Sequence, residues 1–570
     1  MYNNTKSIQN KRLEMTYPYE NLENFTLPAL LERSVSLYGE NDVLGKAGEE
    51  AFTYNELKQK VQIMIKVLQE NGIEKGDKVI LLSENMPNWA IAYFSITYFG
   101  AVVVPVLPDF HPSDVHHIIR HSEAKAVFVS DKHLSTIEDA GKTDISFVIK
   151  LDNLEIIDEL TNKSYLSQIK SKMTKSSDEI IKPDEDDIAS LLYTSGTTGH
   201  SKGVMLSHKN LVTNAMSAYK QITILEDDIF LSILPLAHTL ECTVGLTVPI
   251  LHGSSIYYID KVPTPSVLLK AFSIVRPTMM ISVPLIIEKI YKNKILPKFT
   301  GSFLMKSLYS IPFFRKRLNA IAGKKLLETF GGRLRFFGIG GAGISRYVEQ
   351  FLIEAKFPFI IGYGLTETAP LLAGSNLGEV IKLGSTGLPM TGVELAIKDK
   401  NPKTGQGEII AKSPSVMLGY YKDEEQTAEV MQDGWFLTGD LGYIDDEGFL
   451  FINGRSKNVI IGSAGENIYP EQIESTINQN EAVLDSLMME RDGKLIAKIH
   501  LDYELIDKKF NANKNTDTQV KEDIAKFLEE MRVEVNAQVS SFSRMSKFVE
   551  QIEPFVKTPT KKIKRFLYVD

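Results

Sequence analysis

Residues 193–203 read Tyr-Thr-Ser-Gly-Thr-Thr-Gly-His-Ser-Lys-Gly. Three glycines, six hydroxyl-bearing side chains and one lysine stand within eleven residues. The apolar run 188–192 before them has strand character, and 204–206 after them is short and apolar. Ser207 then suits the N-cap of a helix opening at His208. A strand, a glycine-rich turn and a helix start together make a phosphate cradle. Glycine lets backbone N–H groups turn inward where a Cβ would block them, hydroxyls add donors, and lysine adds charge. The spacing is not that of a Walker loop, because Lys202 is followed by Gly203 and not by a Ser or Thr that could hold a magnesium ion. A bland surface loop is the other reading, and it leaves the motifs further along unexplained.

A chain of 570 residues suits more than one domain. Its 43% hydrophobic and 24% charged residues are those of a globular protein rather than a disordered one. The net charge of −8 argues against a general nucleic-acid surface. The single cysteine, Cys242, excludes an internal disulfide and fits a reducing cytoplasm. Its apolar setting at 240–246 makes it a small packed hydrophobe rather than a nucleophile. Residues 1–6 are polar and lack the apolar run of a signal peptide. The longest apolar stretches, such as 96–107, are too short to span a bilayer. The expected location is cytoplasmic, with peripheral attachment to the inner face of a membrane left open.

Helix-spaced and strand-like segments alternate from residue 54 onward. Residues 54–72 place Leu57, Val61, Ile65 and Leu68 at helical spacing; strands are expected at 78–82, 101–106 and 126–129, with helices at 89–99 and 115–122. After the glycine-rich loop, strands are expected at 229–233, 278–281 and 334–337. This pattern predicts an α/β domain with largely parallel sheets. Residues 390–452, rich in Gly, Pro and Asp turns, read as antiparallel sheet with strands at 394–397, 407–411, 443–445 and 449–452. From about residue 458 a small α+β unit is expected, with a helix at 470–477, a strand at 495–501, a polar insertion at 508–520, a helix at 522–539 and a basic tail at 561–565.

Gly338-Ile339-Gly340-Gly341-Ala342-Gly343 fits the dinucleotide pattern G-x-G-x-x-G. That fold needs an acidic residue at the end of the next strand, and the next apolar run, 357–361, ends in Gly362-Tyr363-Gly364. The glycines suit close approach to the flat face of a different nucleotide.

Six segments together resemble the adenylate-forming acyl-CoA synthetases, in the family's own order. They are 193–203, Gly340-Gly341-Ala342, Gly362-Tyr363-Gly364-Leu365-Thr366-Glu367-Thr368, Trp435-Phe436-Leu437-Thr438-Gly439-Asp440, Gly454-Arg455-Ser456-Lys457-Asn458 and Thr558-Pro559-Thr560-Lys561-Lys562-Ile563-Lys564-Arg565. The resemblance covers about residue 20 to the end. It implies a large adenylation domain over 1–456, with mixed and parallel sheets and an antiparallel barrel-like subdomain, and a small mobile α+β domain over 457–570. It also implies a two-step reaction. A carboxylate attacks the α-phosphate of ATP to give acyl-AMP and pyrophosphate, and the thiol of CoA then displaces AMP. An anion meeting a polyanion needs cations and fixed dipoles around it.

By the same resemblance, Thr194, Ser195, Gly196, Thr197, Thr198, Gly199 and Lys202 would cradle the β- and γ-phosphates. Thr366 would contact the α-phosphate and Glu367 would hold Mg²⁺, an ion that takes oxygen ligands and keeps waters and phosphates. Tyr363 would stack on adenine, with Gly340, Gly341 and Ala342 on the opposite face, and Gly364 would belong to the same nucleotide-binding set. Asp440 would accept the ribose hydroxyls and Arg455 would reach the same sugar. Lys562 matches the catalytic lysine; its neighbour Lys561 stands where many members have glycine, and the following Ile563-Lys564-Arg565 favours Lys562. Lys457 matches the hinge about which the small domain swings, bringing 462–465 to the thiol tunnel. His238 matches a position beside the acyl site, with a buried structural histidine as the alternative.

The acid is less legible. Residues 234–241, 558–567 and the extra segment 296–325 resemble long-chain fatty acid members. The extra segment mixes aromatic with basic residues and reads either as an amphipathic membrane contact or as a helical hairpin packed on the domain. Residues 282–286 and 371–375 are the pocket candidates. The expected partners are a fatty acid, ATP and CoA, with no nucleic acid; a carrier-protein acceptor, another carboxylic acid, and monomer or homodimer stay open.

Overall fold

The computed structural model of the chain describes residues 19, 22, 24–140, 143–157, 182–194, 201–378, 381–462, 467–510, 517–558 and 561–568. Two large sheets make its body. The first runs in the order Gly419–Tyr420, Lys202–Ser207, Ile188–Thr194, Val102–Val106, Lys78–Leu82, Ala126–Val129, Phe147–Lys150 and Glu155–Ile156, parallel from Ile188–Thr194 to Phe147–Lys150. In the second, Phe359–Gly364, Phe336–Ile339, Met279–Ser282, Ile229–Ser232, Ser255–Tyr258 and Asp42–Lys46 lie side by side and parallel. Antiparallel strands close both ends of this second sheet, as is common when helices cover both faces.

The helix Pro87–Tyr98 explains why the two sheets pack together. Its sequence, Pro-Asn-Trp-Ala-Ile-Ala-Tyr-Phe-Ser-Ile-Thr-Tyr, carries no charge, and ten of its twelve residues are buried. A helix that is apolar all round belongs inside a core. Proline opens it at a position whose N–H has no helical partner. Around it one core joins Val79, Leu81 and Val103 of the first sheet to Phe230, Ile256 and Met279 of the second. Each large side chain so buried contributes about 1.5–3 kcal/mol.

The segment that opened the sequence reading does not run strand, turn, helix. Lys202–Ser207 is a strand that pairs antiparallel with Ile188–Thr194 and sets Thr194 opposite Lys202. Val204 and Leu206 lie in the core, and the strand's other edge binds Gly419–Tyr420. These pairings extend a segment too short to be read as a strand by itself. The strands on either side of the glycine-rich segment therefore pair with each other, and a strand stands between that segment and the next helix. The helix His208–Ser217 follows, capped by Ser207 in a reciprocal pair with Asn210. Within the loop, Ser195, Gly196, Thr197, Thr198 and Gly199 lie outside the described residues.

Beyond residue 390 the chain forms an antiparallel sheet of Glu394–Lys398, Gly407–Lys412, Trp435–Ile444, Met431–Gln432 and Leu450–Arg455. It packs Leu395, Ile409 and Leu450 against Tyr363, Leu372 and Ala373 of the second large sheet. The strands Val483–Arg491, Lys494–Leu501 and Lys547–Glu550 form a further sheet. With the helices Pro470–Ile477 and Asp517–Asn536 they enclose a separate core that includes Ile473, Met488, Ile499 and Leu528. Among the described residues no helix is long and apolar enough to cross a membrane.

Candidate active site

The carboxyl ends of parallel strands in an open α/β sheet are where ligands bind. Here Phe336–Ile339 leads into Gly340, Gly341 and Ala342, and Phe359–Gly364 carries Tyr363 and Gly364 into the short turn Thr366–Thr368. A Cβ on Gly364 would lie 1.7 Å from the Pro370 carbonyl oxygen, so only glycine lets this strand double back. Asn214 clamps the returning chain: its Nδ2 donates to the carbonyls of Thr368 and Leu371 at 3.1 and 2.9 Å, and its Oδ1 accepts from Leu371 N–H at 3.1 Å.

The antiparallel sheet brings Asp440 and Arg455 to the same place. They are register partners on adjacent strands, with Arg455 Nε 2.7 Å from Asp440 Oδ1. The Tyr363 hydroxyl donates to the other carboxylate oxygen at 2.7 Å. Burial pushes the Asp440 carboxyl above its ordinary range, opposed first by the Arg455 guanidinium, then by Tyr363 and by Lys562. The tyrosine, aspartate and arginine read separately from the sequence thus form one polar group.

Lys562 comes from the far end of the chain. Thr558 and Lys562 close a turn through Thr558 N–H to Lys562 carbonyl at 2.8 Å and Lys562 N–H to Thr558 Oγ1 at 3.1 Å. Flanking cations fix this turn: Lys557 reaches Asp485 at 2.7 Å and Arg565 binds Glu474. The two adjacent lysines diverge. Lys561 pairs with exposed Asp109 at 2.6 Å, while the Lys562 ammonium lies within electrostatic reach of Arg455, Asp440 and Glu367. The Lys562 side chain keeps an exposed surface, yet the protein atoms crowded around its ammonium, and after them repulsion from Arg455, lower its pKa.

His238 also feels Lys562. Its Nδ1 accepts from Leu240 N–H at 3.2 Å, which leaves Nε2 to carry the proton of a neutral ring. Burial, with a contribution from Lys562, lowers its pKa to about 4.

At the start of the strand Lys202–Ser207, Lys202 bonds Gln426 and stands 5.3 Å over the Tyr420 ring. Tyr420 in turn donates to Glu367 Oε1 at 3.0 Å. Burial and the nearby charge of Lys457 lower the Lys202 pKa. Lys457 itself is exposed in the turn Ser456–Asn458 directly after Arg455. Among the described residues no three His, Cys, Asp or Glu side chains gather as a metal cage. The Glu367 carboxylate, within electrostatic reach of Lys202, offers the sparse oxygen set that Mg²⁺ takes when phosphate oxygens and water complete its shell.

Two groups escaped the sequence reading. Tyr420 links Lys202 to Glu367, and its one signal was a strand edge too short to see. Glu241 is buried to 1% exposure on the π-helical turn Glu241–Thr247, three residues beyond His238. Ser232 donates to its Oε1 at 2.6 Å, and burial pushes its pKa up to about 8. Next to this helix lies a narrow apolar cavity lined by Leu240, Val244, Met279, Phe336, Gly340 and Ala373, among others. Leu371, Ala373 and Gly374 of the expected pocket line it; residues 282–286 do not, because Ser282 ends a strand and Pro284–Ile290 is a helix beside it. Of the expected thiol-tunnel segment, 463–465 lie outside the described residues, as does Pro559-Thr560 of the tail.

The AMP-binding enzyme family matches residues 31–421 of the chain. Long chain acyl-CoA synthetase 1 of Arabidopsis thaliana is 30% identical over 83% of this chain and 78% of its own length. Long chain acyl-CoA synthetase 7, peroxisomal, of the same plant is 28% identical over 93% of this chain and 83% of its own. The benzoate CoA ligase structure from Burkholderia xenovorans LB400 superposes with a TM-score of 0.73 at 20% identity, covering 96% of this chain and 100% of that one.

Proposed function

The chain belongs to the AMP-binding enzymes of the adenylate-forming superfamily, and from that membership we propose that it converts a long-chain fatty acid to its CoA thioester. It is an adenylate-forming acyl-CoA ligase; the long chain is our reading, supported by the named relatives and by an apolar cavity adjoining the glycines of the nucleotide loops. The observation that carries the chemistry is the convergence of Lys562, Asp440, Arg455 and Glu367 from three distant parts of the chain.

In the first half-reaction the fatty carboxylate oxygen attacks the α-phosphorus of ATP and pyrophosphate leaves. Lys562 would neutralise the charge shared by carboxylate and α-phosphate, with Thr366 donating to the same phosphate. Lys202 with Thr194, Ser195, Gly196, Thr197, Thr198 and Gly199 would hold the leaving pyrophosphate. Mg²⁺ at Glu367 would add positive charge at the phosphates. Tyr363 and Gly364 on one side and Gly340, Gly341 and Ala342 on the other would sandwich adenine. Asp440 and Arg455 would hold the ribose, which requires the carboxylate to exchange its present partners for the sugar hydroxyls. In the second half-reaction the CoA thiolate attacks the acyl carbonyl and AMP departs. Neutral His238 would donate from Nε2 toward the acyl oxygen.

We divide the chain at 456/457 and assign Lys457 as the hinge. A rotation there would withdraw Lys562 and admit the thiol, so that one site serves both reactions. The single buried thiol of Cys242 supports a reducing, cytoplasmic setting.

The test is pyrophosphate release with ATP, Mg²⁺ and CoA across carboxylic acids from acetate to oleate. Turnover peaking at long chains supports the proposal. Acyl-AMP without acyl-CoA points to a carrier-protein thiol, and a peak at a short or aromatic acid overturns the long-chain reading.

A further inference from the structure

Residues 289–327 hold ten lysines or arginines and not one aspartate or glutamate, in a chain whose net charge is −8. They fold largely into the helices Leu296–Thr300, Phe303–Ser310 and Pro312–Thr329. The inner side of this group is tied to the body. Arg315 Nη2 reaches Glu354 at 2.8 Å, and Asn319 Nδ2 donates to the same carboxylate at 2.8 Å. A Cβ on Gly323 would lie 2.5 Å from the Ala355 carbonyl oxygen, so the long helix presses backbone to backbone on its support. Phe299 is buried and stacks on Tyr309 at 4.8 Å.

The outer side has no such cover. Phe303 is 88% exposed, Leu304 69%, Phe313 58% and Ile321 57%. The helix Phe303–Ser310 buries no residue at all. On Pro312–Thr329, Phe313, Arg317, Ile321 and Lys324 recur at helical spacing and share one face. The Arg317 guanidinium lies over the Phe313 ring at 4.5 Å. Lys306, Lys316, Lys324 and Lys325 stand exposed around these apolar groups. Single exposed apolar residues are ordinary, whereas aromatic and aliphatic side chains grouped on one ledge mark a contact surface.

We propose that this helical ledge docks the protein on an anionic phospholipid surface. Aromatic and aliphatic tips enter the interface while lysine and arginine stems lie along it and place their charges among the head groups. The basic residues gain from a negative surface potential. The rest of the chain is strongly acidic and is repelled by that surface, so the ledge also sets the orientation of docking. The segment packs on the domain as the sequence reading's helical-hairpin alternative has it, with the exposed apolar and basic groups on its outer side.

The full chain is tested by co-sedimentation with vesicles of phosphatidylcholine alone and of phosphatidylcholine mixed with phosphatidylglycerol, at low and high salt. Binding to the mixed vesicles is expected to be at least about tenfold tighter than to neutral ones and to weaken with salt. The double variant Phe303→Ser/Phe313→Ser and, separately, Lys316→Glu/Lys325→Glu should each lose about tenfold of that binding. Both should keep the melting temperature of the parent and its turnover of a water-soluble acid. Equal binding to both vesicle types, or unchanged binding by either variant, overturns the proposal. So does a parent that is dimeric and bound to no vesicle, with the apolar variant monomeric, because the ledge would then join two copies of the chain.

Discussion

Asp440 and Arg455 face each other across two antiparallel strands, 2.7 Å apart from Oδ1 to Nε. The pair is set by strand register and not by loop placement, so the proposed ribose site is built once the sheet forms. Asp440 is buried, and Arg455 is the strongest influence keeping its carboxyl from rising further. Arg455→Ala should therefore raise the KM for ATP by roughly ten- to a hundredfold, about 1.4–2.7 kcal/mol. It should also move the acidic limb of kcat/KM to higher pH, since the carboxylate must stay ionised to accept sugar hydroxyls. An ATP KM and acidic limb both unchanged would remove Arg455 from the nucleotide site.

The two lysines of the tail make an internal control. Lys562→Ala should depress acyl-AMP formation on the order of a hundredfold or more, while thioester formation from supplied acyl-AMP stays within a few fold. Lys561→Ala removes only an exposed ion pair with Asp109 and should leave both half-reactions nearly unchanged. Equal losses in both halves for Lys562→Ala would contradict its assignment to the first step.

Lys457→Pro should do the reverse. The ring fixes φ at residue 457 and restricts Ser456 before it, so the turn loses the freedom a swing requires. Pyrophosphate exchange should persist and thioester yield should fall by about tenfold or more. A normal thioester yield would show that no rotation at this position is needed.

Much of the fold was legible where periodicity is strong. The strands Lys78–Leu82 and Ala126–Val129 and the helix Pro470–Ile477 lie within a residue of their expected bounds. The failures have specific causes. Val483–Arg491 was missed because Val-Leu-Asp-Ser-Leu-Met-Met-Glu-Arg lacks clean alternation. Yet Asp492-Gly493, both at positive φ, is the hairpin signal that announces it. Trp435–Ile444 was read only at its end because Thr-Gly-Asp suggests a turn; pairing with Gly407–Lys412 overrides that local preference. Motif reading singled out Tyr363, Asp440, Arg455 and Lys562, which the fold brings near one another, but not the hydrogen bond of Tyr420 to Glu367. That bond depends on a strand pairing between residues more than two hundred positions apart.

The apolar cavity sets a further expectation. Ala373 lines it, from a strand directly beside Tyr363. Ala373→Leu would fill space an acyl chain needs, so activity with the longest acids should fall about tenfold relative to medium chains. An unshifted chain-length profile would mean the acid lies elsewhere.

Glu241 gives the pH dependence its clearest test. Its pKa in the folded protein is pushed up to about 8 by burial, against about 4.5 when exposed. A folded pKa above the unfolded one means the native state holds a proton that the unfolded state releases. The associated stability is complete below about pH 4.5, declines as pH rises, and is lost through pH 8. Between pH 6 and 8 the loss is about 2 kcal/mol for this one group. Glu241→Gln keeps the shape and the capacity to bond Ser232 without the ionisation, so its stability should decline less over that interval by about the same amount. Urea unfolding of both proteins at pH 6, 7 and 8 makes the comparison. Parallel slopes for parent and variant would show that Glu241 is already ionised in the native state, and that its carboxylate has found a partner other than Ser232.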